Sequence, residues 1–99
     1  LDGENMTAPF QWHDMARKSF SSVEDARINM TLCIGMMRRA VDAVFARKLG
    51  AGFEVVEPLT IQYVQIVEVI EATGINGKAY PAGSVYVEMR SVATIKVKP

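Results

Sequence analysis

His13-Asp14 is the one place in the chain where an imidazole and a carboxylate stand side by side. Both are usual parts of acid–base machinery, because their pKa values can be brought near neutrality. Neighbours in sequence need not face each other, however, and no nucleophile of recognisable context accompanies them. Glu24 is a third candidate carboxylate. A packing or surface role is preferred for all three, so no catalytic residue is assigned and the chain reads as a non-enzyme. The single cysteine, Cys33, excludes an internal disulfide, and with one histidine in the chain there is no zinc-ligand set to assemble. It sits within an apolar helical stripe, where a thiol acts as a small hydrophobe. Arg38-Arg39 and Arg47-Lys48 could grip phosphates, but no Gly-rich anion loop or interleaved aromatic platform goes with them. Glu68 and Glu71 project to opposite faces of a strand and make a poor carboxylate pair. No metal or cofactor is expected.

The element that must position these groups is a helix from Ser21 to Leu49. Ser21-Ser22-Val23-Glu24 has the form of a capping box with Ser21 as cap. Arg47 and Lys48 suit the negative last turn, and Gly50 follows as a terminator. Val23, Ala26, Met30, Cys33, Met37, Ala40 and Val44 recur at spacings of three and four, and a second apolar set including Ile28, Leu32, Ile34, Met36 and Val41 widens the stripe. Only about one third of the circumference is left polar, by the 100° per residue of helix geometry. An ordinary surface helix shows the reverse, so this one calls for cover on two sides. Gly35 inside it costs roughly 1 kcal/mol relative to alanine, which suggests close packing.

The period changes to two after Gly52. Leu59, Ile61, Tyr63, Val67 and Val69 occupy odd positions, as do Val85, Val87, Met89, Ala93, Ile95 and Val97, predicting two long strands with odd residues inward. Thr7 to Phe20 is ambiguous between helix and strand, and is read as extended through His13, with Phe10 and Trp12 packing on the helix. Asn76-Gly77 looks like a two-residue hairpin turn, yet pairing about it sets odd residues opposite even ones, whereas opposed residues share a face. A bulge or an odd-length loop between Ala72 and Ser84, near Pro81 and Gly83, is therefore predicted. Charge favours a register with Glu68 opposite Arg90 and Ile66 opposite Val92.

The fold class is thus α+β: one long apolar helix on a twisted, mainly antiparallel sheet of two long strands plus one or two short ones. Leu1 to Asn5 are read as a vector-derived remnant, with translation starting at Met6, and residues 6–99 as a single domain. Eleven basic residues balance eleven acidic ones, so no global field recruits nucleic acid or an anionic membrane, and no uncharged run reaches membrane-spanning length. A soluble, cytoplasmic protein is expected.

A short strand Phe10-Gln-Trp-His-Asp14, a long apolar helix ending Arg47-Lys-Leu-Gly50, then Phe53-Glu-Val-Val-Glu57 and Leu59-Thr-Ile-Gln-Tyr63 resemble the opening two thirds of the hotdog fold. The likeness is one of pattern over about residues 10–67. It implies a sheet wrapped round a central helix, a dimer and, in many members, acyl-thioester hydrolysis at the dimer interface, where a catalytic carboxylate would fall on Asp14 or Glu24. Such folds usually have four strands after the helix, and this chain has room for two long ones and a short one. The expected function is a small non-enzymatic assembly or binding module, a homo-oligomer and most simply a dimer, with Met30, Cys33, Ile34, Met37, Val41 and Val44 at the interface and a protein partner as a further option. The alternative is a hotdog-like enzyme or small-ligand binder with its pocket at a dimer interface.

Overall fold

The structure is a computed structural model that describes residues 8–99; the reading of Leu1 to Asn5 as a remnant lies outside them. The elements are β1 (Phe10–Phe20), α1 (Val23–Ile28), α2 (Met30–Gly50), β2 (Phe53–Glu68), β3 (Thr73–Ile75), β4 (Lys78–Tyr80) and β5 (Val85–Val97). The α+β class is as expected. β5 lies in the middle of an antiparallel sheet of order β1-β5-β2, with α2 on one face, and β3 and β4 form a small hairpin of their own. β1 runs through Phe20 rather than stopping at His13, so a third long strand joins the sheet.

The helix is packed by its sequence stripe as far as Met37, beyond which Val41 and Phe45 take the inward side from Ala40 and Val44. Ala26, Cys33, Met37 and Val41 are buried against Val85, Val87 and Met89, and farther along Phe45 meets Ala93 and Ile95. Val87, Met89 and Ile95 are wholly enclosed, each contributing about 1.5–3 kcal/mol of burial. Trp12 on β1 stacks on Phe45 with ring centroids 5.1 Å apart, which meets the expectation that it covers the helix.

Two local features differ from the sequence reading. The cap is Ser22, not Ser21: its Oγ accepts the Asp25 amide at 3.0 Å, while the Ser21 hydroxyl donates to the Asp25 carboxylate. The helix is also interrupted at Asn29, whose backbone (φ −98°, ψ 9°) leaves the helical region. The Asn29 side-chain amide donates to the Asp25 carbonyl at 2.9 Å and to its carboxylate at 3.0 Å. A short polar side chain that competes for the carbonyl four residues back is a known cause of such a break.

The sheet register is the larger correction. Asn76 and Gly77 both have positive φ (51° and 80°), as the predicted two-residue turn requires. The pairing this turn sets at Ile75↔Lys78 is kept in step through Glu68↔Val85, Ile66↔Val87 and Gln65↔Glu88 to Tyr63↔Arg90. Glu68 therefore faces Val85, not Arg90, and Ile66 faces Val87, not Val92. The parity conflict is resolved within β2, by register shifts between Ile61 and Tyr63, Glu57 and Thr60, and Val55 and Glu57. Each shift places an extra residue on β2 against β5, so the core side changes from Val64 and Ile66 to Leu59 and Ile61, all of which pack on the helix. Tyr63 and Val67 go to the other face. Pro58 lies in the bulged stretch, where the missing amide is tolerated.

Candidate functional site

The most organised polar arrangement lies on the sheet face away from the helix. Register sets Arg17 and Gln65 on either side of Glu88, in one rank across β1, β5 and β2. The Arg17 Nε donates to Glu88 Oε1 at 2.8 Å, and Gln65 Nε2 donates to Oε2 at 2.8 Å. The Tyr63 hydroxyl donates to the same Oε2 at 3.1 Å, with the Met15 sulfur 3.8 Å from it. Glu88 is buried, at 7 % exposure. Burial alone pushes its carboxyl up, but the hydrogen bonds from Gln65, Arg17 and Tyr63, together with the Arg17 charge, outweigh this and hold it below the ordinary value. The Tyr63 hydroxyl is pushed up, first by desolvation and then by its hydrogen bond to Glu88 and that group's charge.

Chemically this is a clamp rather than a base. A carboxylate that already accepts three hydrogen bonds and is held ionised is a weak proton acceptor, and its charge is matched by Arg17. The same face carries further cross-strand pairs: Arg90 donates to Gln62 at 2.6 Å, Thr94 to Glu57 at 2.7 Å, and Lys96 meets Glu54 at 3.3 Å. At the hairpin end β3 and β4 close over this face, where Tyr80 and Tyr86 pack with Val69 at a ring separation of 4.8 Å.

The catalytic candidates do not converge. Trp12, Ala16 and Phe20 pack toward the helix, so strand alternation puts Asp14 on that face and His13 on the opposite one. Asp14 Oδ1 accepts the Met15 amide at 2.9 Å. Glu24 lies exposed in the first turn of α1. Of the residues expected at an interface, Cys33, Met37 and Val41 are instead buried within the chain's own core, and Met30 and Ile34 pack beside them. The inward face follows the continuous stripe as far as Met37 and then passes to Val41 and Phe45, which turn inward in place of Ala40 and Val44. Val44 alone of that set is exposed, at 37 %.

Sequence reading missed the partners of Glu88. The strand pattern placed Tyr63 inward, and only the shift beside Gln62 turns it outward; Arg17 lay beyond the expected end of β1. Arg90, which charge placed opposite Glu68, donates to Gln62 instead.

The concave features differ in size: an open, largely apolar hollow of about 510 Å³ lies at the hairpin among Ala72, Thr73, Gly74, Ala79, Tyr80 and Pro81. A cleft of about 190 Å³ over the Pro58 bulge is lined by Gln11, Glu57, Thr60, Val92 and Thr94 among others. A dent of about 70 Å³ lies between β1 and α2 at Lys18, Phe20, Leu32 and Met36, with Cys33 at its floor. Burial raises the Cys33 thiol pKa, opposed by the Lys18 charge. Among the described residues no three of histidine, cysteine, aspartate and glutamate gather as a metal site, and no helix is long and apolar enough to cross a membrane. No protein-family model matches the chain, and no curated protein or solved structure matches it.

Proposed function

We propose that this chain is a non-enzymatic assembly module that acts as a homo-oligomer, a dimer in the simplest case, in the reducing cytoplasm. The observation that carries the reading is the outward side of the helix. Ile28, Leu32, Met36 and Val44 are 73 %, 63 %, 45 % and 37 % exposed, and with exposed Ala40 they form one ridge at four-residue steps. Such ridges are what helices use to pack on one another. Gly35 beside it has nothing within 4 Å of where a Cβ would stand, so the close approach it permits is unused inside the chain. A second copy suits the ridge because the net charge is zero and identical chains do not repel. A buried, unpaired Cys33 accords with a reducing compartment.

Sedimentation equilibrium tests this. The wild type should associate, and Leu32→Glu with Met36→Glu should reduce association without loss of helical signal. A wild-type chain that stays monomeric to high micromolar concentration would contradict the reading. The helix laid along an antiparallel sheet favours, as second reading, a hotdog-like acyl-thioester enzyme or small-ligand binder; turnover abolished by Asp14→Ala or Glu24→Ala would support it.

A further inference from the structure

The two edges of the sheet are built differently. β2 presents an edge broken by three register shifts and by Pro58, which are devices that discourage strand pairing. β1 pairs with β5 over all of Phe10 to Phe20 with no shift, contains no proline, and has no strand on its other side among the described residues. The Met15 amide is taken by its neighbour's side chain, Asp14 Oδ1, at 2.9 Å, which marks it as a donor aimed at the free edge rather than at β5.

The helix-facing residues of this strand also form a chemical palindrome: Trp12, Asp14, Ala16, Lys18, Phe20 read aromatic, acid, small, base, aromatic. We propose that two copies of the chain pair antiparallel through β1 with Ala16 on the two-fold axis, joining two three-stranded sheets into one of six strands. The proposal rests on the self-association argued above and names its surface. In this register Asp14 lies opposite the partner's Lys18, Trp12 opposite the partner's Phe20, and each relation occurs twice by symmetry. Lys18 is exposed, and no described carboxylate forms a salt bridge with it. Opposite charges and aromatic pairs directly across an antiparallel ladder favour pairing, and like charges there oppose it. Shifting the axis by one residue to Met15 would set Asp14 against Ala16 and Lys18 against Trp12, losing both relations. The dent between Lys18, Phe20, Leu32 and Met36 opens at this edge, so the added sheet lies beside the exposed part of the ridge.

A charge-swap series on the full chain tests the proposal, with helical and sheet content checked by circular dichroism. Association is measured by sedimentation for wild type, Lys18→Asp, Asp14→Lys and the double variant. The expected result is that each single reversal weakens the dimer about tenfold or more, while the double reversal restores it. In a folded double variant carrying Ala16→Cys and Cys33→Ala, oxidation should link the two copies through the new thiol. A wild type that is monomeric would overturn both this proposal and the functional reading. A wild type that associates, with single reversals at wild-type strength and no link through position 16, would overturn the β1 pairing and leave self-association by another surface.

Discussion

At the scale of single residues, the most consequential group is Glu88. Its three donors come from two neighbouring strands, so it ties the sheet together at mid-length. Glu88→Gln removes the charge-assisted bonds while keeping the shape, and should destabilise by about 1–3 kcal/mol, read as a lower urea midpoint with unchanged slope. The pH dependence has a definite sign. The folded carboxyl lies below its ordinary value, so its contribution is complete above the unfolded value, near pH 4, and is lost as pH falls through the folded one. Tyr63 is shifted up, so its part holds below about pH 10 and fades as pH rises through the raised value. Melting temperature against pH should show both flanks in wild type, the acid flank reduced in Glu88→Gln and the alkaline flank in Tyr63→Phe. Cys33 provides a second residue-level test. It is 2 % exposed and its thiol is held protonated by burial, so a disulfide reagent should label it slowly in buffer and fully in guanidinium. Fast native labelling would place the dent open to solvent. Met89, fully enclosed under the helix, should cost about 2–5 kcal/mol as Met89→Ala.

At the scale of elements, the helix and the turns are where local chemistry can be read most directly and where one-residue errors arise. Ser21 and Ser22 are equally good cap residues by type; the structure selects Ser22 because Asp25 is then three residues on and its amide meets the hydroxyl. Ser22→Ala should therefore cost about 1 kcal/mol, and Ser21→Ala clearly less, in thermal melts of the two variants. Asn29 is a poor helix former by type, but the break itself shows only in its bonds to Asp25. Gly35→Ala, with open space for the new methyl, should stabilise the separate chain by up to about 1 kcal/mol. For the sheet, the type and face of β5 were legible from its alternation, and the Asn76-Gly77 turn from its dipeptide. The register was not, since the three extra residues of β2 fall between Val55 and Tyr63, where Pro58 is the one residue whose type signals a departure from uniform alternation. The Glu88 clamp depended on that register and on the full length of β1, and so was out of reach even though each of its residues was plain in the chain.

At the scale of the whole molecule, a two-layer arrangement of one long helix on three long strands leaves both the outward ridge of the helix and the β1 edge without cover among the described residues. Principal extents of 52 × 26 × 18 Å describe a thin, elongated body, in which a helix of this apolarity is enclosed on one side only. The excess apolar surface was legible in the sequence, but which residues carry it was not: Cys33 and Met37 of the regular stripe face the chain's own sheet together with Val41 of the flanking set, while Ala40 and Val44 of the stripe join Ile28, Leu32 and Met36 outside. Stability should accordingly rise with protein concentration, since binding a second copy favours the folded state by mass action. Size-exclusion chromatography with light scattering reads self-association as a mass. The expected result is a mass near twice the 10.9 kDa of the chain, falling toward one chain on dilution; a mass of a single chain across the whole concentration range would contradict it.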